Sequence, residues 1–265
     1  MAPEGMTMDV RLDRVRANFA KERQFVQNCY LPRRAPKGGM FLYVKIHKAA
    51  STTILASLAA HLFRAAGKDL PDLAQEDVHK LPIKVFQRAR YVGFDGLVDQ
   101  FTDPSVFSFT LVRAPLRRIA SAWADKIAAG DKQRSKLNRY LKRPDDTPLD
   151  FPDFVDVITS DSAALNLDRH WRPQWNEGAF DALQYDFIGD VGQLHQSLAV
   201  VTERLFGATT PHIVDTRESM GHRTSRDAVL AALPARGRKK LEAAFADDLA
   251  LYERVRRDLD ARFTA

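Results

Sequence analysis

Short apolar runs along this chain are followed, three times, by segments with apolar residues three or four positions apart. The runs have the length of buried strands, and the periodic segments have the spacing of helices that bury one face. The predicted strand–helix pairs are Met40–Ile46 with Thr52–Ala66, Val106–Val112 with Leu116–Ala128, and Tyr185–Gly189 with Val191–Phe206. Strands that alternate with helices predict an α/β fold, with a doubly wound parallel sheet and helices on both faces.

The segments outside these pairs predict the rest of the organisation. Val10–Cys29 has the pattern of an amphipathic docking helix, and the Pro- and Gly-rich stretch Leu31–Gly39 predicts a connector. We therefore divide the chain into an N-terminal helix with connector, 1–39, and one domain, 40–265. Gly130–Asp150 is rich in charge and predicts an exposed loop, while Ala235–Phe263 predicts one long helix with a buried face.

Composition narrows the class of protein without identifying it. Hydrophobic residues make up 45% of the 265 positions and charged residues 28%, which indicates a folded globular chain and not a disordered one. The net charge of +6 favours anionic partners of any kind. Cys29 is the single cysteine and cannot form an internal disulfide, and no apolar run reaches the length of a membrane span. A cytoplasmic protein without a transmembrane segment is the simplest expectation.

The loop after the first predicted strand has the composition of an anion site. His47–Thr53 would place the N-terminal N–H groups of a helix beside the Lys48 ammonium and the hydroxyls of Ser51, Thr52 and Thr53. The triphosphate-binding pattern Gly-x-x-x-x-Gly-Lys-Ser/Thr is absent, because the lysine precedes the small residues. The loop is therefore P-loop-like in position only, and by itself it fits an ordinary helix N-cap beside a solvated lysine better than it fits an anion site.

A second motif follows the next predicted strand. Within Phe107–Trp123, Arg113 ends the strand, Pro115 favours the first helical turn, and Ser121 lies two turns into the helix. Here the sequence resembles the sulfotransferases that use 3′-phosphoadenosine 5′-phosphosulfate (PAPS), especially the carbohydrate sulfotransferases of sulfotransferase family 2. In that family a Lys-bearing strand–loop–helix binds the 5′-phosphosulfate, and an Arg with a Ser eight residues later binds the 3′-phosphate.

The resemblance runs from about Phe41 to Gly189. Phe151–Ile158, followed by Asp168–Gln174, looks like a stretch of the chondroitin 4-sulfotransferase relatives, and Tyr185–Gly189 comes next as in those enzymes. A weaker likeness continues at Gly221–Ser225. Together these motifs imply sulfuryl transfer from PAPS to a hydroxyl-bearing acceptor, expected to be a carbohydrate and not a nucleic acid.

The chain also departs from the family pattern. Ala49 and Ala50 stand where the family often has glycine, and His47 stands where proline is common. The Golgi membrane anchor and the cysteines that often follow the His-Trp segment are missing. These differences imply a soluble intracellular relative whose acceptor need not be chondroitin.

The resemblance implies a role for each matching residue. Lys48 is expected to stabilise charge on the bridging oxygen as 3′-phosphoadenosine 5′-phosphate leaves, and Arg113 with Ser121 is expected to hold the 3′-phosphate. No metal is required. The residues expected to bind PAPS are Lys48, Ala50, Ser51, Thr52, Thr53, Arg113, Ser121 and Arg223.

The general base stays open at this stage. His170 is favoured narrowly because it lies in a family-like motif and an imidazole titrates in a useful range, yet a histidine beside Trp171 fits a packed structural residue equally well. Asp95 and Asp99, on the segment before the Arg-bearing strand, are the acidic candidates, and His47 is a further one.

Two other functions remain compatible with the sequence. A P-loop-like kinase would share the strand–loop–helix anion site and would depend on magnesium. A binding module without catalysis would keep the nucleotide site and lack a base. Neither the acceptor nor the oligomeric state follows from the sequence.

Overall fold

The computed structural model describes residues 6–19, 21–69, 85–87, 89–208, 210–213 and 226–264. They form two compact units. The first consists of the described residues within Met1–Val112 and Asn176–Met220, and the second of those within Arg113–Trp175 and Gly221–Ala265. Among the described helices, none combines the length and the apolar character needed to cross a membrane.

The first unit contains a five-stranded mixed sheet. Its strands are β1 Cys29–Pro32, β2 Met40–Val44, β3 Phe86–Gln87, β4 Val106–Val112 and β5 Phe187–Asp190, in the order β3-β1-β2-β4-β5. The strands β2, β4 and β5 are parallel, as predicted, but β1 pairs antiparallel with both β2 and β3. The prediction of a wholly parallel sheet is therefore wrong at one edge. Residues 33–39 are too few for a parallel crossover, which needs about a dozen residues.

The helices are distributed over both units. They are α1 Met8–Ala17, α2 Glu22–Val26, α3 Ser51–Ala65, α4 Phe94–Asp99, α5 Pro115–Trp123, α6 Lys132–Tyr140, α7 Phe151–Ser160, α8 Ser162–Asn166, α9 Gln174–Glu177, α10 Leu194–Phe206, α11 Arg226–Ala231, α12 Ala235–Ala244 and α13 Ala246–Thr264. The helix α10 packs on α3 and β5 in the first unit, while α12 packs on α7 in the second. The fold is thus mixed α/β, with a central sheet flanked by helices.

The N-terminal segment belongs to the core of the first unit. The predicted helix at Val10–Cys29 is two short helices, α1 and α2. Val15 and Phe25 are fully buried in one apolar cluster with Leu42 of β2, and the ring of Phe25 meets that of Phe94 edge-on at 5.8 Å. The predicted connector begins inside β1, so its first residues carry strand hydrogen bonds. The domain boundary at residue 40 stays a prediction.

The predicted exposed loop at Gly130–Asp150 contains a helix, and that prediction is wrong. Asp131 caps α6 by accepting from the N–H of Lys132 at 2.6 Å. Leu137 and Asn138 are fully buried, and the Asn138 amide donates to the carbonyls that follow the helix. One large apolar residue on the buried face is too weak a periodic signal to predict a helix from sequence.

The predicted C-terminal helix at Ala235–Phe263 is also divided. Phe245 has φ −118° and ψ 29°, which ends α12 before α13 begins at Ala246. The side chain of Phe245 is 1% exposed and packs with Leu241 in the second core cluster.

Candidate functional site

The loop after β2 has an unusual backbone. Lys48 and Ala50 both adopt left-handed conformations, with φ of 65° and 53°, and α3 begins at the next residue, Ser51. A side chain other than glycine in this region costs about 1–3 kcal/mol, which the surrounding structure has to offset. Such strain accumulates at ligand sites because the ligand needs that backbone shape.

This backbone gives the N-terminus of α3 the character of an anion site. Ala50 is the N-cap residue and has no side-chain acceptor to offer, while the first ladder bond runs from the N–H of Ile54 to its carbonyl at 3.0 Å. The N–H groups of Ser51, Thr52 and Thr53 precede that ladder. Turns that contain left-handed residues can form anion-binding concavities of backbone N–H groups, and the helix dipole favours negative charge there.

The residue before Lys48 is held by a buried carboxylate. Oε1 of Glu177 accepts the main-chain N–H of His47 at 3.1 Å and also makes a hydrogen bond with Nδ1 of the same residue. His47 is 5% exposed and Glu177 is fully buried. A buried imidazole of this kind is a poor candidate for a group that must reach an acceptor hydroxyl.

Arg113 follows β4 directly and opens the second unit. Its main chain is clamped by Gln174, which is itself held where α9 begins. Both oxygens of the fully buried Asp248 accept from that helix start, at 2.9 Å from the N–H of Gln174 and 2.8 Å from the N–H of Trp175. The main chain of Arg113 is therefore held in place by hydrogen bonds within the second unit.

Ser121 lies on α5, eight residues after Arg113. Pro115 occupies the first turn of this helix, as the sequence predicts. Ser121 is 1% exposed, whereas Arg113 is half-buried. Of the two residues predicted to bind the 3′-phosphate, Arg113 is thus the more accessible to a ligand.

His170 forms a carboxylate–imidazole pair within the second unit. Its Nδ1 lies 2.5 Å from Oδ1 of Asp168, and its main-chain N–H donates to the same oxygen at 3.1 Å. Burial alone would raise the pKa of Asp168, but the hydrogen bond and charge of His170, with Lys136, lower it to about 2. A carboxylate at Nδ1 orients the ring and leaves proton acceptance to Nε2.

The turn that carries His170 is itself anchored. The fully buried guanidinium of Arg118 on α5 donates to the carbonyls of Arg172 at 2.7 Å and Arg169 at 3.3 Å. Trp171 is fully buried and donates from its indole to a carbonyl in α8 at 3.0 Å. Trp171 is therefore the residue of this motif that packs in the core, whereas the His170 side chain is 15% exposed.

The two acidic base candidates lie on α4 and are exposed. Asp95 accepts from Arg16 of α1 at 3.1 Å, and its side chain is 69% exposed. Asp99 ends the helix, and its carboxylate lies 3.4 Å from the hydroxyl of Thr102. Asp95 is thus part of an ion pair that ties the N-terminal helix to α4. Arg223, in contrast, lies outside the described residues, as does all of Gly221–Ser225.

Sequence reasoning missed three residues that hold these elements in place. They are Glu177, Gln174 and Asp248. Gln174 is the last residue of the Asp168–Gln174 motif. The sequence therefore singled out this position but did not indicate that its side chain holds Arg113. Glu177 and Asp248 carry no local signal, because a buried carboxylate and a solvated one look alike in a sequence.

Comparison with known proteins places the chain in a family. A family model described as "Sulfotransferase family" matches residues 35–253. Carbohydrate sulfotransferase 14 of Danio rerio is 26% identical over 110 residues, which cover 37% of this chain. The match spans 30% of that relative's own length. No solved structure matches the chain.

Proposed function

The chain belongs to the sulfotransferase family, and we propose that it moves a sulfuryl group from PAPS to a hydroxyl group of a carbohydrate. The observation that carries the proposal is the backbone of the Lys48 loop. Two left-handed residues directly before a helix N-terminus form an anion site without the usual triphosphate motif. A parallel strand precedes this loop, and the neighbouring parallel strand leads into Arg113.

The donor-binding residues divide by the phosphate that they hold. Lys48 and the segment from Ala50 to Thr53 bind the 5′-phosphosulfate through N–H groups, hydroxyls and one ammonium. Arg113 and Ser121 bind the 3′-phosphate, which distinguishes PAPS from ordinary adenine nucleotides. Arg223 joins this set from outside the described residues. In this reading the fold is P-loop-like, with helices on both faces of the sheet.

The chemistry asked of the protein is positioning and charge stabilisation. The acceptor oxygen attacks sulfur in line as the bond to the bridging oxygen breaks, so negative charge grows on the leaving bisphosphate. Lys48 stabilises that growing charge most in the transition state, where it raises turnover more than binding. The reaction needs no metal.

His170 is the proposed general base. Asp168 fixes its ring through Nδ1, so Nε2 takes the proton of the acceptor hydroxyl as the S–O bond forms. Asp95 is the alternative base, but its exposure and its ion pair with Arg16 favour a structural role. His47 is ranked last because its imidazole is buried against Glu177.

The acceptor class is proposed from the printed name of the relative, a carbohydrate sulfotransferase. A cytoplasmic location is likewise a proposal, which fractionation of cells expressing the tagged chain would test.

The deciding experiment compares two nucleotides by calorimetry. Adenosine 3′,5′-bisphosphate should bind at least about tenfold more tightly than 5′-AMP, because charge-assisted hydrogen bonds to the 3′-phosphate contribute about 1.5–3 kcal/mol each. Arg113→Ala should remove most of that difference and leave 5′-AMP binding nearly unchanged. Equal affinities in the wild type would reject the proposed donor.

Transfer itself needs a second measurement. PAPS with labelled sulfur, incubated with a panel of glycans, should yield a labelled glycan in the presence of a metal chelator. Binding without labelled product would support the non-catalytic alternative, and transfer from ATP that requires magnesium would support the kinase alternative.

A further inference from the structure

We propose that Glu177 is a positioning residue for the Lys48 loop, which it holds through His47. The proposal rests on the donor site proposed above and adds a residue to it. Glu177 lies between the motifs Asp168–Gln174 and Tyr185–Gly189 and belongs to neither, and its partner stands where the family commonly has proline.

Glu177 contacts both the main chain and the side chain of His47. A single oxygen of Glu177 accepts the main-chain N–H of His47 at 3.1 Å and hydrogen-bonds to its Nδ1. Since an ionised carboxylate only accepts, Nδ1 carries the hydrogen. With Glu177 fully buried and His47 at 5% exposure, water does not compete for either bond.

The Lys48 loop needs such an anchor because its left-handed positions are not occupied by glycine. Lys48 and Ala50 hold left-handed backbones with side chains attached, and the N-cap position contributes no side-chain hydrogen bond. His47 directly precedes Lys48, the first left-handed residue of the loop. Fixing the main chain and the ring of His47 together sets the direction in which the chain enters that turn.

Glu177 is placed by a tight turn of its own. Ala179, two residues later, is left-handed with φ 48°, and the hydroxyl of Tyr185 donates to the carbonyl of Gly178 at 2.7 Å. The ring of Tyr185 lies 5.2 Å from that of Phe180. The carboxylate is thus presented by packed structure within the same unit as the loop.

Loss of the Glu177–His47 contact should affect binding of the 5′-phosphate only. If the Lys48 loop relaxes, its N–H groups no longer converge and the 5′-phosphate loses its contacts. The main chain of Arg113, one of the two proposed 3′-phosphate residues, is held by its own hydrogen bonds to Gln174, so the affinity for that phosphate should persist. A variant without Glu177 should therefore bind nucleotides with and without a 5′-phosphate with more nearly equal affinity.

The test measures the ratio of affinities for adenosine 3′,5′-bisphosphate and adenosine 3′-monophosphate, by calorimetry on the full chain. Glu177→Ala should lower this ratio by about tenfold or more and leave the monophosphate affinity within about twofold. Glu177→Gln keeps a neutral acceptor for the His47 N–H, and neutral bonds are roughly half as strong, so a fall of about threefold is expected.

Asp186→Ala is the matched control. The Asp186 carboxylate also accepts from one main-chain N–H and one side chain, those of Ser108, at 2.7 and 2.8 Å. It precedes β5 at the amino ends of the parallel strands, whereas the Lys48 loop follows the carboxyl end of β2. Its loss should lower the melting temperature without changing the ratio.

Each outcome decides a separate point. A wild type that shows no preference for the 5′-phosphate rejects the proposed donor site, and the role of Glu177 with it. A wild-type preference that survives in folded Glu177→Ala overturns the positioning role alone. If thermal melting shows that Glu177→Ala is unfolded, Glu177→Gln decides, and a ratio equal to that of the wild type overturns the proposal.

Discussion

Gln174 and Arg113 form two reciprocal hydrogen bonds. Oε1 of Gln174 accepts the main-chain N–H of Arg113 at 3.2 Å, and its Nε2 donates to the Arg113 carbonyl at 2.9 Å. Gln174 is fully buried and Arg113 is half-buried, so both bonds are partly buried. The main chain of Arg113, which follows β4, is therefore held by a residue 61 positions away in the chain.

Replacing Gln174 by methionine should lower the affinity for the 3′-phosphate, although Gln174 is not among the residues proposed to contact that phosphate. Gln174→Met keeps the length of the side chain and removes both bonds, so the affinity for adenosine 3′,5′-bisphosphate should fall about three- to tenfold while 5′-AMP binding stays constant. Arg117→Ala is the control, since Arg117 is exposed on α5 and pairs with Asp227 at 3.1 Å. Equal losses for both nucleotides would indicate general damage and not mispositioning.

Lys48→Ala should lower turnover more than donor affinity. The leaving bisphosphate gains charge during the reaction, so an ammonium beside it stabilises the transition state more than the ground state. A fall of about 10²-fold or more in the rate of transfer, or of slow PAPS hydrolysis, is expected. Lys68→Ala removes the same charge beyond the far end of α3 and should have no effect. An unchanged hydrolysis rate in Lys48→Ala would count against the assigned role.

The base should be identified by comparing His170→Ala, Asp95→Asn and Asp99→Asn at saturating PAPS with an identified acceptor. Loss of a true base lowers the rate by about 10²–10⁴-fold and leaves bisphosphate binding intact. We expect this from His170→Ala alone. A near-normal rate in folded His170→Ala would move the role to Asp95, Asp99 or His47.

Asp168→Asn tests how His170 is oriented. An asparagine amide can place its NH₂ group at Nδ1, which favours the wrong tautomer, so the rate should fall while the donor affinity is retained. The measurement is the rate of transfer at saturating PAPS beside the affinity for adenosine 3′,5′-bisphosphate, with thermal melting to show that the variant is folded.

His61 should make the stability of the chain depend on pH. Burial, with Arg64 and His212 nearby, lowers the pKa of His61 to about 4, and its Nε2 accepts the N–H of His212 at 3.1 Å. As the pH falls from about 6.5 to about 4, the unfolded chain binds a proton that the folded chain excludes, so stability falls across this window.

His61→Gln keeps an acceptor and cannot titrate, so it isolates this effect. Between pH 7 and pH 4.5 the melting temperature of the wild type should fall by at least about 2 °C more than that of the variant. Parallel losses in the two proteins would show that other groups account for the acid sensitivity.

The alternation of apolar runs and helical stripes was sufficient to predict the centre of the sheet. The strand β4 has the predicted bounds, and α3 starts within one residue of its prediction, because burial on both faces makes such segments apolar throughout. The same pattern could not predict the pairing of β1. Its antiparallel direction follows from a short connection and from partners that only the folded chain brings together.

The site divides in the same way. Lys48, Arg113 and Ser121 were predictable as residue types at fixed spacing from strand ends, and His170 as part of a family-like motif. Their proposed roles rest on the family resemblance. Only the tertiary structure places Glu177 against His47, Gln174 against Arg113, and both oxygens of Asp248 at the start of α9. The physical reason is that a sequence records which groups a chain carries. Whether a carboxylate is buried against two N–H donors or solvated depends on the partners that folding brings to it.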